Sequence, residues 1–296
     1  MPLPLLLALT LQQATTLPPD TTRLRQQLPD VAVRATRRVL ALRAPGETKG
    51  LQTAFGRELT PTAAVAVWHG PPDSSRVYVV RAVRVRLGSR PPTAAKDVPK
   101  VRRNFSEGAI RLWLSPGSQT GGPQPAQNLL AAPLLLTANT TAKKGWVRFD
   151  VMQQRLVLPA RGLFVVAEGE TTGSETYVKQ RSLARPLNGK NLPEDIDFQK
   201  AKPKKGHKGV ETFRCVELRR ADGSSRLALT NAFPTLAYRQ VPAPANSQSW
   251  IRRIRQPDKT VFWRSVPQDL APLRKAFPEV SAPDYNYELE LEVEEL

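Results

Sequence analysis

Thiols and imidazoles are almost missing from this chain: one cysteine and two histidines among 296 residues. A single cysteine excludes an internal disulfide and a cysteine-built metal site. Zinc or copper needs clustered His, Cys or carboxylate ligands, and His69 and His207 lie far apart, in a turn-like HGPPD stretch and a basic loop. No metal and no cofactor is therefore expected. No G-x-S-x-G elbow is present to pair a serine with either histidine, and no catalytic residue is assigned. Cys215 lies within FRCVEL and is expected as a buried structural thiol. The apolar run at residues 2–11 (PLPLLLALTL) is too short for a membrane-spanning helix. It reads as the apolar part of a signal peptide over residues 1–14, which predicts export.

Positive charge is what the chain has in excess: 44 Lys+Arg against 26 Asp+Glu, a formal net charge of +18. Such a field attracts polyanions, whether acidic polysaccharide, anionic lipid or nucleic acid. No nucleic-acid motif accompanies it, and only residues 200–208 (KAKPKKGHK) form a dense basic run. The 28 prolines push the chain toward turns, edges and loops, because proline cannot donate to a sheet ladder.

Short apolar runs at 110–114, 134–138, 146–149 and 163–167 are separated by Gly, Pro, Asn and Ser clusters. That rhythm predicts half-buried strands joined by turns. Further strands are expected at 28–35, 63–68, 76–87, 213–218, 226–230, 250–254, 260–264 and 285–293. In the stretch at 76–87, Val77, Val79, Val83, Val85 and Leu87 are expected to share one face, with Arg81 the exception. ADGS at 221–224 and PDK at 257–259 read as hairpin turns. Residues 266–277 (VPQDLAPLRKAF) are the best helix candidate. At the C-terminus, Tyr285, Tyr287, Leu289, Leu291 and Val293 alternate with Asn286, Glu288, Glu290, Glu292 and Glu294. This predicts one buried and one wet face, with the glutamates beside a basic strand, residues 76–87 being the best candidate.

The motifs LPDVAV at 28–33, GAIRLWL at 108–114, KGWVRFD at 144–150 and LPARGLFVVAE at 158–168 carry a family likeness. Together they resemble the larger β region of exported Bacteroidetes proteins described as carboxypeptidase-like regulatory domain-containing. The likeness covers residues 28–170, and the last third matches loosely. No counterpart of the small regulatory sandwich is expected ahead of Leu28. The resemblance implies an exported cell-envelope β protein and supplies no catalytic residue.

The fold expected is an all-β antiparallel sandwich of jelly-roll type with one short C-terminal helix. A signal peptide (1–14) and a linker (15–27) precede a sandwich domain (28–296), with a mobile insertion at 182–209. Asp150, Glu168 and Glu170 are the carboxylates that could run glycan hydrolysis, with strand-end and solvent-side roles as the simpler reading. NLPEDID at 191–197 is the acidic loop that could hold calcium. Trp68, Trp113 and Trp146 are expected in packing roles. Trp250, Arg252, Arg253, Arg255, Trp263 and Arg264 form a candidate glycan or anion face. The function expected is a non-catalytic envelope module, structural or binding a cell-surface polysaccharide or another envelope protein. Its compartment would be the periplasm, the outer-membrane surface or the extracellular space. The alternatives are a glycan hydrolase or lyase on the same scaffold, and a polyanion binder driven by net charge.

Overall fold

The computed structural model describes residues 38–46, 56–88, 107–124, 127–140, 145–186, 210–241, 244–254, 260–278 and 283–296. The signal peptide, the linker, the strand at 28–35, the acidic loop at 191–197, the basic run with His207, and Arg255 with the PDK turn lie outside these residues. The described residues fall in one compact unit, Arg37–Leu296.

The described strands are β1 (Val39–Leu42), β2 (Gly56–Glu58), β3 (Ala64–His69), β4 (Tyr78–Arg86), β5 (Ala109–Pro116) and β6 (Leu134–Leu136). Then come β7 (Trp146–Asp150), β8 (Leu163–Glu170), β9 (Thr176–Pro186), β10 (Val210–Arg219) and β11 (Ser225–Leu229). The chain closes with β12 (Thr235–Gln240), β13 (Ser249–Ile254), β14 (Val261–Ser265), helix α1 (Val266–Ala276), β15 (Tyr285–Tyr287) and β16 (Leu289–Glu295). β9 continues through Pro186, into the segment read from sequence as an insertion; residues 187–209 lie outside the described set.

Two sheets make an antiparallel sandwich. One has the order β14-β13-β3-β8-β5-β6, the other β1-β16-β4-β7. Strands β3, β4, β5, β7 and β8 alternate between the layers, and β8 closes between β3 and β5, as jelly-roll crossovers do. The inner faces interdigitate: Val65, Val67, Ile110, Leu112, Leu114, Val165 and Ile251 share one core with Val80, Val83, Val85, Val147, Leu289, Leu291 and Val293. Each such side chain stabilises the fold by roughly 1.5–3 kcal/mol on burial. That fixes the register, since a one-residue slip would turn every one of them to water. Two three-stranded sheets, β15-β12-β2 and β11-β10-β9, flank the sandwich. The second has its own cluster of Val216, Leu218, Ala228 and Phe233 with Tyr177.

The C-terminal strand lies inside the second sheet, between β1 and β4. Glu290 stands opposite Arg84 and Leu291 opposite Val83, so the pairing with the basic strand holds from Leu289 on, whereas Tyr285–Tyr287 form a separate strand, β15, paired with β12 in another sheet. The face of β4 differs from the simple alternation. Glu292 pairs with Ala82 and Val293 with Val80, leaving Arg81 as an extra bulged residue. The bulge reverses parity, so Val80 and Tyr78 join the core while Val77 is half exposed. The glutamate face is not wet either. Glu288, Glu290 and Glu294 are buried, because arginines of neighbouring strands fold their long side chains across them.

His69 ends β3 rather than sitting in a turn, and it is buried on the core side. Helix α1 begins where expected. The Gln268 side chain accepts the Ser265 N–H at 3.1 Å, Asp269 sits in the first turn, and Arg274 and Lys275 in the last. Among the described residues, no helix is long and apolar enough to cross a membrane.

Candidate binding face

Opposed residues in antiparallel strands present their side chains on the same face. On the outer face of the six-stranded sheet, this rule brings together residues from five strands. Trp263 of β14 stands opposite Arg252 of β13. Trp250 stands opposite Ala66, which stands opposite Val166, which stands opposite Trp113 of β5. Trp68 stands opposite Phe164, and Glu168 opposite both Ala64 and Arg111. The small Ala64 and Ala66 leave room for large side chains to cross β3.

The aromatics form a layer outside the sandwich core. Trp113, Phe164 and Trp250 are buried with Ala66 and Val166, and Trp68 and Trp263 pack against them partly buried. The Phe164 and Trp250 rings meet edge to face with centroids 6.2 Å apart. The Trp68 indole N–H donates to the Arg161 carbonyl at 3.1 Å. The loop after β5 lies over Trp250. A Cβ added to Gly122, whose φ is +74°, would sit 2.9 Å from the indole, so only glycine allows that approach.

Charge crosses the same face as a triad. Arg111 donates to one Glu168 oxygen at 2.6 Å, and Arg252 donates to the other. Arg252 also reaches the Thr62 carbonyl at 2.6 Å. Arg111 stacks over Trp113 at 5.3 Å and pairs with Glu170 at 2.9 Å. Three donors on this face, Arg111 Nε, Arg252 Nε and Trp263 Nε1, are buried without a hydrogen-bond partner, the first lying 2.9 Å from Glu170 as an ion pair.

Of the residues singled out from sequence, Trp250, Arg252 and Trp263 thus share this face. Arg253 and Arg264 lie on the opposite face of the hairpin, because each is one residue out of phase. Arg253 donates to Asp269 of α1 at 2.6 Å, and Arg264 lies 5.1 Å over the Phe262 ring. The carboxylates do not converge. Glu168 and Glu170 of β8 are both held by Arg111 of β5, whereas Asp150 lies in the other sheet and accepts the Met152 N–H. The sequence reading missed Arg111, and it assigned Trp68 and Trp113 to packing alone. Their period-2 positions in β3 and β5 were visible, but strand adjacency was not.

Trp146 lies on the outer face of the other sheet, half buried, with the Arg84 guanidinium 4.7 Å and the Arg86 guanidinium 5.9 Å from its ring centroid. It packs over the sheet, as expected, but against arginine rather than in the core.

A scan against protein-family models finds no match, and searches of curated proteins and of solved structures find none either.

Proposed function

We propose that this protein is a non-catalytic β-sandwich module exported to the cell envelope, and that it binds carbohydrate through the outer face of its six-stranded sheet. The observation that carries the reading is the opposed pair Trp263 and Arg252. A partly buried indole stands beside a guanidinium on the outer face of the sheet. Sugar rings present C–H faces that pack on indoles. With Glu170, which also pairs with Arg111, the Arg111–Glu168–Arg252 triad sets two guanidiniums against two carboxylates, a balance that favours a neutral saccharide over a charged one. It also weakens the hydrolase or lyase alternative. Both oxygens of Glu168 are occupied by arginine, and Glu170, two residues along the same strand, is itself paired with Arg111.

The apolar segment at 2–11 and the resemblance to exported Bacteroidetes proteins support the envelope assignment. N-terminal sequencing of native protein tests it: a start near Thr15 in an envelope fraction supports export, and Met1 in the cytosol refutes it. Affinity electrophoresis in gels cast with neutral polysaccharides tests the binding. Retardation that Trp263→Ala abolishes is expected. Equal mobility with and without every polysaccharide would overturn the reading.

A further inference from the structure

We infer that the outer face of the four-stranded sheet is a second, independent site, one that takes an acidic polysaccharide bearing repeated carboxylate or sulfate groups. On this face Glu288, Glu290 and Glu292 lie beneath the guanidiniums, while Asp150 on the edge strand β7, 57% exposed, stands beside Arg148 at 3.3 Å. Arg43 is 52% exposed and its partner Glu290 2%, at 3.0 Å. Arg148 is 44% exposed and Glu292 17%, at 2.8 Å. Arg86 is 30% exposed and Glu288 2%, at 3.0 Å. Arg84 reaches both Glu290, at 3.3 Å, and Glu292, at 3.6 Å.

A ligand approaching over β1, β16 and β4 therefore meets guanidinium before it meets carboxylate. The buried glutamates fix the arginine side chains in place, so little rotamer entropy is lost when their remaining N–H groups bind a second anion. Planar guanidinium forks match carboxylate and sulfate oxygens in pairs.

Trp146 decides between classes of polyanion. Its ring is covered by Arg84 and Arg86, so it offers no open platform on which a nucleic-acid base could stack. It braces the arginines and is a positioning residue. Recognition on this face rests on the anionic groups alone, which a polysaccharide supplies along its length. The net charge of +18 draws such a chain toward the protein, but the rows β1, β16, β4 and β7 give it a place to dock.

The test is heparin affinity at fixed salt for the full chain, compared between Arg43→Gln/Arg148→Gln and a charge-matched control on β10, Arg214→Gln/Arg219→Gln. About a tenfold loss is expected for the first pair and under about twofold for the control. Equal losses would reduce the effect to net charge and overturn the site, as would no heparin binding at all. If the glutamine pair does not fold, Arg43→Lys/Arg148→Lys keeps the charge and loses the forks. It should still bind several-fold more weakly, and wild-type affinity would overturn the site. Polygalacturonate in place of heparin separates carboxylate from sulfate recognition, and binding to either supports the site. Single-stranded DNA bound as tightly as heparin, with the same dependence on Arg43 and Arg148, would overturn the polysaccharide assignment. Trp263→Ala should leave heparin affinity unchanged, which keeps this site separable from the neutral-sugar face.

Discussion

The imidazole Nε2 of His69 lies 3.0 Å from the carbonyl oxygen of Leu289, joining the last residue of β3 in one layer to the first residue of β16 in the other. The ring donates across the core as neutral imidazole. Burial pushes its pKa down to about 4 from an ordinary 6.5, and the hydrogen bond to Leu289 only partly opposes that shift.

This link makes stability depend on pH with a definite sign. Below 6.5 the unfolded chain takes a proton on His69, while the folded protein resists it until about 4. The contribution is thus fully present above pH 6.5 and is lost as pH falls toward 4. The shift corresponds to about 3 kcal/mol. Chemical denaturation from pH 7.5 to 4 in wild type and His69→Gln checks this. The difference between the two should shrink steadily with acid, and a pH-independent difference would contradict the assignment.

Removing residues 285–296 should unfold the sandwich rather than trim a tail. That segment includes β16, flanked on both sides by β1 and β4, and its Leu289, Leu291 and Val293 lie in the central core. Loss of the cooperative denaturation transition is expected. A truncated protein with an unchanged midpoint would contradict the placement.

Trp146→Ala should cost about 1–2 kcal/mol, below the roughly 3–5 kcal/mol of a fully buried aromatic, since the ring is half buried and held chiefly by Arg84 and Arg86. Urea denaturation reads this directly, and a change near zero would show that the arginine stack contributes nothing.

Much of this architecture was legible in period-2 alternation. Strands β3, β5, β7 and β8, the ADGS turn between β10 and β11, and the helix after Ser265 follow from local chemistry. So did the pairing of the C-terminal strand with β4, because glutamates and arginines alternate on both. The Arg81 bulge was visible only as an anomaly, a charge at an apolar position, and its meaning depends on the partner register. β1, β2 and β12 carried too little pattern to stand out. The binding face was half legible. Trp250, Arg252 and Trp263 lie on one hairpin, where sequence spacing reports the face. Arg111 and Glu168 arrive from β5 and β8, and only sheet order makes them neighbours of Arg252.

Cys215 should be inert in the native state. It is buried in β10, and burial pushes its thiol pKa above the ordinary value, so little thiolate forms at neutral pH. A disulfide-exchange reagent should react with it only after denaturant is added. Rapid stoichiometric reaction of folded protein would contradict the burial.

The central claim is that Trp263 and Arg252 form a neutral-saccharide face. Isothermal titration of the intact protein with cello-, xylo- and chito-oligosaccharides tests it most directly, with Trp263→Ala and Trp146→Ala as paired variants. The account predicts saturable binding of at least one of these oligosaccharides, weakened at least about tenfold by Trp263→Ala and unchanged by Trp146→Ala. No heat with any of them, or wild-type affinity in Trp263→Ala, would contradict it.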